Sequence, residues 1–296
     1  MKVLITGASG LLGRAVYRNF KAANITVIGT AYSRATDKLH KLDLSKEEDV
    51  EKFLLEHKPD VIVHCAAERR PDVAEKDREG TLKLNAQTPG HLANFSKNNN
   101  IVLIYISTDY VFDGNHPPYD ENSTPNPINF YGESKFAGEQ AIKKVNDDAI
   151  ILRVPILYGQ VEYNGESAVN ILIDVVKNNA KKAEMDNVCI RYPTNVDDIG
   201  RVIKDLAVKK IENGSSINGV YHFTAEEKFT KFDMCKIFAD ILKVPIDHLQ
   251  PQNSISPNAA ASRPLNSHLS IKRLQDLHID TSTTSFQQWF QTNLAQ

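Results

Sequence analysis

Val3-Leu-Ile-Thr-Gly-Ala-Ser-Gly-Leu-Leu-Gly13 couples an apolar, strand-like run to a helix-forming one through Gly7, Gly10 and Gly13, and this junction limits the fold more than any other stretch. Each glycine has its own use. Gly7 permits a tight turn, Gly10 lets backbone N–H groups approach a pyrophosphate, and Gly13 lets the helix lie close to a sheet. The anion would rest on the positive end of a helix beginning near Leu11. The spacing is G-x-x-G-x-x-G, not the commoner G-x-G-x-x-G. Glycines at such intervals also occur in ordinary turns, but their place directly behind an N-terminal strand favours a phosphate cradle.

Leu11, Leu12, Ala15, Val16 and Phe20 recur at helical spacing, and Thr26 to Ala31 reads as a second strand, completing a βαβ unit. At the end of such a strand an acidic residue holds a ribose 2′-hydroxyl, whereas an arginine accepts a 2′-phosphate. Tyr32-Ser33-Arg34 stands there, so NADP(H) is expected over NAD(H), with a solvated loop arginine as the other reading. Ser45 and Glu48 predict a capping box opening a helix to about His57, before Pro59-Asp60 and the strand Val61 to Cys65. Asp43-Leu44, at the carboxyl edge of the sheet, is either an adenine contact or an ordinary loop. Cys65-Ala66-Ala67 supplies small residues where a ribose or phosphate passes close to the backbone. Of the following Arg69 and Arg70, each meets phosphate or solvent. Asn85, inside the next helical stretch and a cofactor-site candidate, is either a buried bridge between water and backbone or an ordinary exposed helix residue.

A second chemical signal follows the fourth apolar strand, Ile101 to Ile106, which runs on into Ser107-Thr108-Asp109. The proline-rich stretch Asn115 to Asn129 is too irregular for regular structure and is typical of a segment bordering a site. Beyond it Tyr131 and Lys135 are four apart and share one helical face. A phenol with an ordinary pKa near 10 is a poor acid–base group at neutral pH, and an adjacent ammonium is expected to stabilise its phenolate. Lys135 can also hold a nicotinamide ribose, and Thr108 can hydrogen-bond a substrate oxygen. Ala149 to Val154 predicts another buried strand; Pro155, just past it, cannot continue a ladder and is expected to turn the chain, with Leu157, over the nicotinamide.

With 296 residues and 41% hydrophobic content, the chain can bury a large α/β core. The expected architecture is a Rossmann-type doubly wound parallel sheet in residues 1–165. A smaller interleaved substrate or cap region, 166–296, is expected to contribute the last sheet elements. Helical runs are predicted at Ala168 to Lys177, Val196 to Lys209 and Phe232 to Leu242, with one more strand at Gly219 to Phe223. Arg191 and Arg263 are either anionic-substrate ligands or surface arginines. A net charge of −2, from 35 basic and 37 acidic residues, argues against nucleic-acid or anionic-membrane binding. No apolar run reaches the length of a membrane span, the chain starts on a core strand, and its three cysteines form no C-x-x-C pair. A cytoplasmic protein is expected on these grounds. Its nine histidines show no metal-ligand spacing.

Taken together, Thr6 to Gly13, Thr108, and Tyr131 with Lys135 resemble the extended short-chain dehydrogenase/reductase family. Ile106-Ser-Thr-Asp-Tyr-Val-Phe-Asp-Gly114, Tyr131-Gly-Glu-Ser-Lys-Phe-Ala-Gly-Glu139 and Arg263-Pro-Leu-Asn-Ser267 are similar to its dTDP-4-dehydrorhamnose reductase branch. The resemblance covers essentially the whole chain. It implies NADP(H) and a threonine–tyrosine–lysine set, Thr108, Tyr131 and Lys135, that reduces a 4-keto nucleotide sugar. Within that branch, His64 to Val73, Arg153 to Glu162 with Glu166 to Val169, and Phe229 to Met234 resemble more closely the regulatory β-subunits of methionine adenosyltransferase. That implies a role in S-adenosylmethionine biosynthesis, with the catalytic subunit as partner. Reductases of the branch usually carry Ala-Tyr-Thr-Ala-Val-Asp-Lys-Ala-Glu where this chain has Ala67-Glu-Arg-Arg-Pro-Asp-Val-Ala-Glu75, which puts bulky cations in place of small polar residues. The resemblance carries cofactor contacts onto Ser9, Gly10, Leu11, Leu12, Tyr32, Ser33, Arg34, Asp43, Leu44, Cys65, Arg69, Tyr131 and Leu157. It also implies partner docking through an extended C-terminal tail. This sequence ends at Gln296, soon after Phe286-Gln-Gln-Trp-Phe290, so docking is expected to use another surface or to be absent.

Overall fold

The computed structural model describes residues 1–36, 38–255 and 259–294. Its strands, in chain order, are β1 (Lys2–Thr6), β2 (Thr26–Ala31), β3 (His40–Lys41), β4 (Val61–His64), β5 (Val102–Thr108), β6 (Ile150–Val154), β7 (Leu157–Tyr158), β8 (Ala183–Asp186), β9 (Thr194–Asn195), β10 (Gly219–His222) and β11 (Leu249–Gln252). Seven of them form one sheet in the order β10-β6-β5-β4-β1-β2-β3. Every pairing in it is parallel. The chain winds outward from β1 in both directions, so the order reverses between β1 and β4, where a doubly wound sheet opens a crevice at its carboxyl edge.

Helices cover both faces, and this explains why the central strands are apolar throughout. Val3 and Ile5 of β1 face the helices Leu11–Ala22 and Val196–Asn213, packing with Val16, Phe20, Ile199 and Ile203. Leu4, one residue out of phase, faces the opposite side and joins Val50, Leu54, Leu92, Ile142 and Ile151. Those residues come from the helices Glu47–His57, Thr88–Asn98 and Phe130–Val145 and from β6. A separate apolar core lies outside the sheet, where Tyr158, Leu172, Ile173, Phe238, Phe286 and Phe290 pack together. The main sheet takes its edge strand β10 and one covering helix from beyond residue 166.

The predicted capping box does not form. The helix Glu47–His57 has Lys46 at its cap and no side-chain cap bond. The Ser45 hydroxyl donates to Asp43 Oδ1 at 2.8 Å, and the Ser45 backbone N–H donates to the same oxygen at 3.0 Å. A carboxylate two residues upstream outcompetes the helix terminus for that hydroxyl, the local turn preference of aspartate. Among the described residues no helix is long and apolar enough to cross a membrane, and no group of three or more His, Cys, Asp or Glu could hold a metal ion.

Candidate cofactor and active site

A cavity of about 650 Å³ opens at the reversal point. Its floor is the glycine turn. Gly7 has φ of +66°, and a Cβ placed there would come within 2.8 Å of the Ala66 backbone nitrogen. A Cβ on Gly13 would stand 2.2 Å from the Gly7 carbonyl oxygen. Both positions are therefore closed to any side chain. The helix that follows is capped by Gly10, has no side-chain cap bond and carries no acid in its first turn. Its leading N–H groups thus suit an external anion, and the cradle fits a dinucleotide pyrophosphate.

Of the residues singled out in the sequence as cofactor ligands or catalytic groups, all except Asn85 and Arg70 line this cavity: Gly7, Ser9 to Gly13, Tyr32 to Arg34, Asp43, Leu44, Cys65 to Ala67, Arg69, Thr108, Tyr131, Lys135, Pro155 and Leu157. Asn85 is buried within a single π-helical turn, Lys83–Gln87. Its amide donates to the Glu68 carbonyl at 2.9 Å and to Ser134 Oγ at 3.0 Å, and its Oδ1 accepts from the Glu68 N–H at 2.9 Å. These bonds tie the strand exit to the helix Phe130–Val145 and use the side chain away from the cavity. Cys65 is a free thiol that burial pushes up to about 12, as suits a packing residue rather than a nucleophile.

Two acceptors fix the start of the helix Phe130–Val145. Asn129 Oδ1 accepts from the Gly132 N–H and Glu75 Oε1 from the Phe130 N–H, both at 2.9 Å, an N-cap shared between two segments. Tyr131 lies at the cavity beside Thr108, the last residue of β5, whose hydroxyl acts to lower the Tyr131 pKa. The expected phenolate is not what the structure favours. Burial raises the Tyr131 pKa above its ordinary value, and the Thr108 hydrogen bond and the Arg69 charge counter it only in part. Lys135 is itself buried, with its ammonium 4.0 Å above the Tyr105 ring. Desolvation pushes Lys135 down to about 7, although the Glu139 charge opposes this. An ammonium that pays so much for its own charge is a weak support for a phenolate. Tyr131 is therefore a neutral phenol at pH 7, the form that can give a proton.

Two acidic residues at this site went unassigned in the sequence. Asp109 is buried in the cavity wall, accepting from Thr108 Oγ1 at 3.1 Å and from the Ser267 hydroxyl. Burial pushes its carboxyl up to about 6 against those two hydrogen bonds. Glu166, 3% exposed, accepts from Arg14 through both oxygens, at 3.0 and 2.6 Å, and from Arg34 Nη1. Burial would raise its carboxyl, but those bonds, with the Glu162 N–H, hold it at about 2. Asp109 adjoins Thr108 at the strand end, and Glu166 opens the Glu166 to Val169 segment of the resemblance, but no spacing assigns either one a role at the site.

The remaining candidate cations are held within the chain. Arg70 pairs with Glu68 at 2.7 Å, and Arg263 Nη2 reaches both Asp72 oxygens at 2.9 Å. Arg191 is buried, not a surface group, and pairs with Asp186 at 2.7 Å. Behind the site Glu139 and Arg153 form a fully buried pair, with Arg153 Nε and Nη2 donating at 2.8 and 2.6 Å. The Ser107 hydroxyl also donates to Glu139 at 2.6 Å, and Arg153 Nη1 lies 3.3 Å from His222 Nε2.

Strand order, glycine cradle and the threonine–tyrosine–lysine set together define a dinucleotide-binding fold of reductase type. The chain belongs to the family with the RmlD substrate-binding domain, within the extended short-chain dehydrogenases/reductases; the family model matches residues 1–296. It is 44% identical over 282 residues to methionine adenosyltransferase 2 subunit beta of Bos taurus, spanning 95% of this chain and 84% of that protein. Among solved structures it is similar to a dTDP-4-dehydrorhamnose reductase of Clostridium acetobutylicum, with TM-score 0.84 and 28% identity over 100% of this chain and 99% of the other. The same enzyme of Bacillus anthracis, crystallised in complex with NADP, gives TM-score 0.84 and 29% identity over 99% and 98% of the two chains.

Proposed function

We propose that this protein is an NADP(H)-binding β-type regulatory subunit of methionine adenosyltransferase, serving S-adenosylmethionine biosynthesis in the cytoplasm. The observation that carries the reading is the 44% identity to the bovine beta subunit over 95% of the chain. The segment Glu68 to Glu75 agrees with it. That segment is tied down by the Arg70–Glu68 and Asp72–Arg263 pairs and by Glu75 on the Phe130 N–H, so Arg263 is already engaged by a carboxylate of the chain itself. In this reading residues 1–165 form the cofactor-binding domain, and 166–296 form the smaller substrate or cap region that contributes the last sheet elements. The test is to mix the protein with a methionine adenosyltransferase catalytic subunit. Co-elution and an altered rate of S-adenosylmethionine synthesis are expected; the absence of both would reject the reading.

The intact constellation of Thr108, Tyr131 and Lys135 favours a second reading, reduction of a 4-keto nucleotide sugar. When bound, NADPH would supply the hydride. Tyr131, neutral at pH 7, would give its phenolic proton to the carbonyl oxygen while Thr108 orients that oxygen. Lys135 would hold the cofactor ribose beside the phenol.

A further inference from the structure

Arg34, the residue placed to meet a 2′-phosphate, shares its Nη1 between two carboxylates from a segment more than 120 residues away. It donates to Glu166 and, at 2.9 Å, to Glu162. The two acids differ in kind. Glu166 is 3% exposed and anchored independently by Arg14 and by the Glu162 N–H at 2.8 Å, so it keeps its place and charge whatever Arg34 does. Glu162 is 55% exposed and holds its position mainly through surface ion pairs with Arg34 and Arg14, which contribute little and exchange readily. Glu166 and Arg34 both line the cavity; Glu162 does not.

We propose that this acidic pair sets how the protein discriminates phosphorylated from unphosphorylated dinucleotides. Glu166 is a positioning residue that holds the Arg34 guanidinium at the cavity wall. Glu162 is a competitor that a 2′-phosphate must displace from the same nitrogen. A phosphate arriving at Arg34 would repel both acids, yet only the exposed one is free to swing into solvent, so part of the 2′-phosphate's binding energy goes into releasing Glu162. NADH, lacking that phosphate, leaves the pair closed. The proposal rests on the reading of the cavity as an NADP(H) site.

The test is calorimetric titration of the full chain with NADPH and with NADH, for the unmodified protein, Glu162→Gln and Glu166→Gln. Removing the competitor should tighten NADPH about 2–5-fold, the scale of an exposed ion pair, and leave NADH within about twofold. Removing the anchor should weaken NADPH about tenfold, the scale of one lost charge-assisted contact, and change NADH far less. A general loss of structure would move both cofactors together, so the ratio is the diagnostic readout. Equal shifts for the two cofactors, or weaker NADPH binding in Glu162→Gln, would overturn the proposal. If Glu166→Gln does not fold, the exposed Glu162→Gln decides alone. An unmodified protein that binds NADPH no better than NADH would remove the cofactor reading itself, and this inference with it.

Discussion

Replacing Arg153 with Met removes one half of a fully buried ion pair and tests what holds the site's back wall together. Glu139 is 0% and Arg153 1% exposed. Without the guanidinium, Glu139 loses two charge-assisted bonds of 2.8 and 2.6 Å and keeps one hydrogen bond, from the Ser107 hydroxyl, with Lys135 and Lys143 as more distant charges. Breaking such a pair from one side costs about 3–5 kcal/mol, because a buried charge is left uncompensated. For a chain of 296 residues the unfolding entropy is about 0.6 kcal/mol per degree, so the melting temperature should fall by about 5–8 °C. Arg153→Met combined with Glu139→Gln removes both charges and should recover most of the stability. Urea denaturation of the unmodified protein, the two single variants and the double at pH 7 gives the complete cycle. A single-variant cost below about 1 kcal/mol, or a double variant losing the sum of the singles, would refute the assignment of this pair as a coupled buried unit.

Tyr131→Phe deletes only the phenol hydroxyl. Any NADPH-dependent reduction of a 4-keto nucleotide sugar should fall about 10²–10⁴-fold, while activation of a methionine adenosyltransferase partner stays unchanged; parallel assays of the two activities separate the readings. Gly13→Ala would place a methyl 2.2 Å from the Gly7 carbonyl, a clash with backbone that forces the helix away from the turn. NADPH affinity should drop by at least about tenfold with a stability loss of about 1–3 kcal/mol, measured by titration and melting. Acid should destabilise the protein in two stages. Burial holds His64 and His222 at about 3, below their ordinary 6.5, so the unfolded state binds more protons and stability falls with pH from about 6.5 toward 3. Glu166, held at about 2 against an ordinary 4.5, adds a further loss from about 4.5 downward. Denaturation midpoints at pH 7, 5 and 4 should fall in that order, and a midpoint that is flat or rises would contradict the burial of these groups.

What was legible in the sequence was whatever a short spacing dictates. Three glycines between a strand and a helix specify a cradle because only glycine tolerates the backbone contact at Gly7 and Gly13. Tyr131 and Lys135 share a face because four residues make about one helical turn. Runs of apolar residues announced the buried parallel strands β1, β4, β5 and β6. The Ser45 capping box failed because a turn at Asp43 competed for the same hydroxyl, a choice between two local motifs that spacing cannot rank. Asn85 is the buried bridge to backbone that its position suggested, bonded to the Glu68 N–H and carbonyl, but packing between segments keeps it out of the cavity lining. The charge state of Tyr131 was read from its neighbour Lys135, whereas desolvation, a property of everything packed around both, outweighs that neighbour. By itself the sequence determined the alternation of strand and helix, the place of the cradle and part of the cavity lining, because these follow from periodicity and backbone sterics within a few turns of chain. Only the tertiary structure decided that Arg34 is shared with Glu162 and Glu166, that Arg263 belongs to Asp72 and that Tyr131 keeps its proton, because Coulomb and solvation energies depend on distances through space that sequence separation does not encode.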